Sequence, residues 1–409
     1  MTPGSPSASG PIDGSGPDHF DLFDPDVQRW PFDTYASLRQ LGPVRRLGAV
    51  DESAPPTFVI SRFDEASEVL RDHRRFSSKI LPLPVMLFLD PPEHDRIRQT
   101  VSRAFTPRAV DTLEPRVAAI ASQLVAAFVA GGFDDVVDGL TGILPVSVIG
   151  EVLGVPVTDW ARLREWSHAT VRSLAAAGAP GDEAQAAMAG ALSLHQYLSD
   201  LVDNLAPSED GTIAQRLVAA QGREEIDRAE LIGFLQFLFV AGHETTTALL
   251  SHVIEVLARD TELQSLVRSE RSLLGPLIEE VLRTTGPLQR LFRVAIEDVT
   301  VGGTTMPAGS TVVVLIGSAN RDDRQFPAGD DLDLSAADRS HVAFGKGVHY
   351  CLGAPLARLE SRLAINRLLD ALGPFVLDPS RPPRRFAGGT TSELQTEALW
   401  IIPVHGDVA

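Results

Sequence analysis

Residues 344–353 read FGKGVHYCLG, and their cysteine, Cys351, is the only one among 409 residues. It stands just before a segment, 352–369, in which Leu352, Leu356, Leu359 and Leu363 repeat at the one-face spacing of a helix. A helix N-terminus offers unpaired N–H groups and partial positive charge, both of which stabilise a thiolate. Gly345 and Gly347 let the backbone fold tightly around a sulfur and bring N–H donors to it. Pro355 falls in the first turn, where its missing N–H costs little. The stretch therefore suits an anionic sulfur. An inert thiol in a glycine-rich turn is the competing reading, and local chemistry leaves both open.

The surrounding composition sets limits. Hydrophobic residues make up 44% of the chain, enough for a large core. Lys and Arg number 36 against 54 Asp and Glu, a net charge of −18. That balance disfavours nucleic acid, whose phosphates need a basic face. A single cysteine permits no intramolecular disulfide, in keeping with a reducing cytoplasm. The opening MTPGSPSASGPIDGSGPDH lacks a basic and then apolar stretch, so it does not read as a signal peptide. Residues 1–18 are expected to form a disordered tail before a single domain over 19–409. No run of about 18 apolar residues occurs, so no membrane span is expected.

Hydrophobic spacing predicts a mainly α protein with a minor β region. Helices are expected at 35–41, 63–71, 94–104, 231–258, 273–284 and 352–369, with more helices filling 110–221. A strand is expected at 57–60. Residues 299–301 and 311–316, joined through 302–309, read as a β-hairpin. The helix 231–258 is apolar on nearly every side, which marks a helix through the centre of a large core.

Its middle, residues 241–247, reads AGHETTT. Gly242 weakens the helix and a threonine hydroxyl can bond back to the carbonyl four residues earlier, so a local bulge or kink is expected. Glu244 and Thr245 would supply an acid and a hydroxyl for proton delivery. A hydrated kink with no chemistry is the alternative. Two further pairs share helix faces. Glu280 and Arg283 lie three apart, as an ordinary surface pair also would. His94 and Arg98 lie one turn apart after Pro91-Pro92, an arrangement suited to a carboxylate ligand or to a solvated face.

The pattern Phe344, Gly345, Gly347, His349, Cys351, Gly353 resembles the haem-binding signature of the cytochrome P-450 family. AGHETT, from Ala241, resembles that family's oxygen-activation motif. The resemblance spans nearly all of 20–404. It implies a triangular, helix-rich fold holding haem b between the central helix and the cysteine-loop helix. It implies Cys351 as axial ligand of the iron, with Phe344 beside it and Gly345, Gly353 and Ala241 around the cofactor. His94, Arg98, Arg293 and His349 would bind the haem propionates. Thr245 would serve oxygen activation and Glu244 would relay protons from solvent. Glu280 and Arg283 would brace the core. The third partner usual for that pair is an arginine, but this chain places Ala336 there, so either Arg339 substitutes or the third contact is absent.

The same resemblance implies a monooxygenase using O2 and electrons from NAD(P)H through a separate ferredoxin and ferredoxin reductase. Arg103, Arg108, Lys346 and Arg358 are candidate docking contacts. The substrate pocket would draw on Leu83, Val85, Met86, Phe88, Phe237, Leu238, Leu288, Leu291 and Thr391, with residues 175–181 as a lid. Such a lining suits a largely apolar small molecule. A polyketide or macrolide is expected, oxidised by hydroxylation or epoxidation. A steroid, terpenoid, fatty acid or peptide natural product is the alternative. A peroxide-driven oxygenase and a non-catalytic haem protein are rivals that the intact Glu244-Thr245 pair disfavours. The protein is expected to be a cytoplasmic monomer.

Overall fold

The computed structural model describes residues 20–22, 24–47, 55–132, 135–175, 182–336, 340–386 and 392–404. The expected tail, Arg339, Thr391 and residues 176–181 of the expected lid lie outside them.

The organising element is the helix Arg228–Arg259, 32 residues long and roughly 48 Å from end to end at 1.5 Å per residue. Its start is fixed by a capping box. The Asp227 side chain accepts from the Glu230 N–H, and the Glu230 carboxylate accepts from the Asp227 N–H. It ends at Asp260, which in turn caps the helix Thr261–Ser269 by accepting from the Leu263 N–H. Leu231, Leu235, Phe239, Leu249, Val253, Ile254 and Leu257 are buried along it. Helices Leu144–Leu153, Asp182–Asn204, Leu274–Thr285 and Ala354–Ala371 pack around it. No single helix among the described residues is long and apolar enough to cross a membrane.

Beside this body lies a five-stranded sheet, in the order Val44–Arg46, Thr57–Ile60, Thr311–Leu315, Arg290–Ala295, Phe76–Ser77. Only Thr57–Ile60 and Thr311–Leu315 run parallel. Alternate residues face opposite sides of a strand. Phe58, Ile60, Val312 and Val314 accordingly join one core with Phe63, Val69 and Leu70 of the helix Phe63–Arg71. Val59, Val313 and Leu315 join another with Tyr35 and Leu38 of the helix Phe32–Leu41.

The hairpin differs from expectation. Val299–Val301 turns at Gly302-Gly303 and pairs with Thr304–Met306. Both glycines have positive φ, 55° and 80°, the backbone that a two-residue hairpin turn requires. Thr311–Leu315 is thereby freed to pair with Arg290–Ala295, with Val312 opposite Arg293. That strand carries Arg293 into the interior.

Glu280 and Arg283 are 1% and 2% exposed, so the pair is buried. Arg283 donates to Glu280 from Nε at 2.9 Å and from Nη2 at 2.7 Å. It also donates to the carbonyls of Asn320, Gly329 and Asp331. Glu280 Oε2 accepts from the Asp333 N–H at 2.8 Å. A backbone amide thus meets Glu280 just before Ala336. One guanidinium binds the helix Leu274–Thr285 to the chain approaching the cysteine loop. Removing one partner of a buried pair strands the other. Arg283→Ala is therefore expected to lower stability by about 3–5 kcal/mol in denaturant titration. Arg283→Lys should recover little, because an ammonium cannot reproduce the guanidinium fork. An unfolding midpoint unchanged in Arg283→Ala would refute this bracing role.

Candidate active site

The cysteine loop is closed by its own backbone. The Cys351 N–H donates to the Phe344 carbonyl at 2.8 Å, and the Gly345 N–H to that of Val342 at 2.9 Å. Gly347 has φ 73°, and a Cβ there would stand 2.6 Å from the Leu70 carbonyl oxygen and 2.9 Å from Arg71 Cα. Glycine is needed at that position for both reasons. The loop then delivers Cys351 just ahead of the helix Ala354–Ala371.

Cys351 is exposed although many atoms of the fold surround it, as a side chain bordering a cavity would be. Burial pushes its thiol pKa up, opposed by the Gly353 and Ala354 amides and by the charges of Arg98 and Arg358. A coordinated metal cation would remove the proton outright. On the central helix, Phe237, Ala241 and Thr245, four residues apart and so on one face, are half-buried, as are Gly233, Gln236, Leu238, Val240, Gly242 and Thr247. A Cβ at Gly353 would meet nothing within 4 Å.

A cluster of nitrogen-rich side chains lies beside the loop. The His94 and His349 rings are 4.3 Å apart, and Nε2 of each is buried without a partner. His94 Nδ1 meets Asp95 at 2.9 Å. Arg98 donates to the Tyr350 carbonyl at 2.6 Å. Arg293 is buried and donates to the Phe292 carbonyl, and no carboxylate pairs with it among the described residues. Burial lowers the Arg293 pKa to about 10. Burial, then His94, Arg293, Arg98 and His73, lowers that of His349 to about 3. Burial likewise lowers His94. Burial thus disfavours the charged form of both histidines while no anion faces them at Nε2. Buried polar groups without partners are costly, and apart from Asp95 at His94 Nδ1 no carboxylate meets this set among the described residues. Two carboxylates, such as the propionates of haem, fit that deficit.

On the opposite side, the Thr245 hydroxyl donates to the Ala241 carbonyl at 2.9 Å and that of Thr246 to Gly242 at 3.2 Å. The expected bulge does not appear as a change of helix type, because these back-bonds sit within an unbroken α-helix. Glu244 is buried. Its Oε1 lies 2.9 Å from His168 Nδ1 on the helix Trp160–Ala175, and its Oε2 accepts from Gln395 at 2.7 Å. Burial alone would raise its pKa, but His168, His243 and Gln395 together outweigh that and lower it. Glu244 is thus held ionised, with no hydrogen bond to Thr245. Gln395 also donates to Glu393 at 2.7 Å. Burial and the Glu244 charge raise Glu393 to about 7. No local sequence signal marks His73, His168, Glu393 or Gln395, which the fold alone brings in.

Val85, Phe88, Phe237, Leu238, Leu288 and Leu291 are half-buried, while Met86 is core and Leu83 is 40% exposed. Pro84 and Val85 lie 3.7 Å from where a Cβ on Gly233 would stand, against the central helix. Arg103 and Arg108 are exposed, and Lys346 sits 5.1 Å over the Phe63 ring. Arg358 is clamped by Glu279 at 2.7 and 2.8 Å, so its charge is already matched.

A family model described as Cytochrome P450 matches residues 193–389. The Vitamin D(3) 25-hydroxylase of Pseudonocardia autotrophica is 35% identical over 87% of this chain and 89% of its own. The Mycinamicin IV hydroxylase/epoxidase of Micromonospora griseorubida is 35% identical over 83% and 87%. The crystal structure of CalO2 superposes with a TM-score of 0.86 at 28% identity, over 95% of this chain and 99% of that one.

Gly347→Ala is expected to push the cysteine loop away from Leu70. The variant should purify with a lower haem-to-protein ratio and a lower melting temperature. Parental values for both would show that the loop tolerates a side chain there.

Proposed function

The chain belongs to the cytochrome P-450 family, and from that premise we propose that it is a haem-thiolate monooxygenase acting on a largely apolar small molecule. One observation carries the site assignment. An uncovered cysteine sulfur and a cluster of buried, anion-poor donors lie together inside the fold. Cys351 Sγ would hold the haem iron, with Phe344 in the same loop beside it. His94, Arg98, Arg293 and His349 would hold the propionates, and a bound dianion would repay their burial. When bound, haem supplies the reductive activation of O2 that no side chain provides.

Inserting one oxygen atom of O2 and releasing the other as water consumes two electrons and two protons. The residues of this chain supply the proton path. Thr245 presents a hydroxyl on the half-buried face of the central helix, and rotation off the Ala241 carbonyl frees it to donate. Glu244, held ionised, exchanges protons with the partly exposed His168. Phe237, Leu238 and Leu291, all half-buried, would contribute an apolar wall to the substrate site.

A polyketide or macrolide remains the substrate class we favour. The half-buried apolar wall supports it, as does similarity to a mycinamicin IV hydroxylase/epoxidase. Similarity to a Vitamin D(3) 25-hydroxylase keeps steroid-like molecules as the alternative. Electrons would come from NAD(P)H through a ferredoxin and its reductase, docking near Arg103, Arg108 and Lys346.

The reduced, CO-bound protein is expected to show a strongly red-shifted Soret band, and Cys351→Ala should lose it. An unshifted band in the parent would overturn thiolate ligation. Thr245→Ala should retain haem but release hydrogen peroxide, with product formed per NAD(P)H falling at least several-fold. Unchanged coupling would remove Thr245 from proton delivery.

A further inference from the structure

We propose that His168, His243 and Glu244 form a binding site for a zinc-type divalent metal ion, one that joins the helix Trp160–Ala175 to the central helix. Their ligand atoms, His168 Nδ1, His243 Nε2 and Glu244 Oε1, all lie within 4.8 Å of one another. Glu244 Oε1 is 2.9 Å from the His168 nitrogen and 3.7 Å from that of His243. Ligands at ~2.0–2.1 Å around a tetrahedral zinc are about 3.3 Å apart. Small side-chain rotations therefore bring this set into register.

The hydrogen bonding of His243 supplies the second observation. Its Nδ1 lies 3.0 Å from the Phe239 carbonyl, which can only accept, so Nδ1 carries the proton. Its Nε2 is then a bare lone pair, buried and without a partner, aimed at the carboxylate. Two acceptors facing each other in the interior call for a cation between them. An imidazole whose Nδ1–H is tied to a backbone carbonyl, leaving Nε2 free, is the orientation that metal-bound histidines adopt. Access is open, because the His168 side chain is 40% exposed. Two imidazoles and one carboxylate select zinc, copper or nickel over magnesium or calcium. Binding exchanges the proton held between His168 and Glu244 for the metal, with no change of oxidation state.

A bound metal would tie the helix Trp160–Ala175 to the central helix and withdraw Glu244 from proton exchange. This consequence rests on the monooxygenase reading, whereas metal binding itself does not. The test uses untagged holoenzyme, titrated with zinc chloride against a chromophoric chelator. One equivalent is expected to bind with the haem spectrum unchanged. His168→Ala, at a half-exposed position, and the isosteric Glu244→Gln should each weaken binding at least tenfold. Absence of a one-equivalent site, or equal affinity in both variants, overturns the proposal. In the parent, zinc should slow product formation and a chelator should restore it. Stoichiometric binding that leaves turnover unchanged would confirm the metal site and instead remove Glu244 from proton delivery.

Discussion

Negative charge can be kept inside a protein only where fixed positive or N–H partners wait for it, and the architecture of this chain follows from that constraint. A thiolate at Cys351 is supported by the Gly353 and Ala354 amides and by the charges of Arg98 and Arg358. Arg293 and the unpartnered Nε2 atoms of His94 and His349 gather nearby, and among the described residues only Asp95, on His94 Nδ1, brings a carboxylate to them. Alone they are unfavourable, as the lowered pKa values of Arg293 and His349 record. A dianionic ligand would reverse the sign of that cost. They come from three elements, with His94 and Arg98 on the helix Glu93–Ser102, Arg293 on the strand Arg290–Ala295 and His349 in the cysteine loop.

Holding these elements in register falls to interactions remote from the chemistry. The Arg283 guanidinium reaches one carboxylate and three carbonyls, fixing the stretch that leads into the cysteine loop. The sheet fixes Arg293 through its pairing with Val312. Gly347 lets the loop settle against Leu70. None of these groups touches the hollow, yet each sets where a group that does so will stand.

On the other side of the hollow, the central helix separates two tasks onto neighbouring residues. Thr245 lies on the half-buried face with Phe237 and Ala241, whereas Glu244, one residue earlier and so about 100° around the helix, turns towards His168 and Gln395. The acid is thereby screened from the apolar wall while keeping a route to solvent through His168. On the proposed readings, the same geometry would let Glu244 answer to a proton or to a metal ion. Glu393, with its raised pKa and its link through Gln395, adds a carboxyl beside a region whose sequence reads as apolar.

The sequence by itself determined the family resemblance, the helical class and the residues of the cysteine loop and of AGHETT. Those signals are local, since a glycine at positive φ, a helix start and a heptad-like leucine spacing are each set by neighbours a few positions away. The helices at 63–71 and around 231–258 and the strand at 57–60 were legible for the same reason. Strand partners were not. The two glycines at 302–303 closed a shorter hairpin and released Thr311–Leu315 to the main sheet. Only the tertiary structure decided that His168 meets Glu244 across 76 residues of chain, that Gln395 links two carboxyls, and that the Asp333 amide meets Glu280. Such partnerships depend on distance and burial in three dimensions. Burial turns ordinary surface residue types into groups with shifted charge and unmet hydrogen bonds, and no pattern along the chain encodes it.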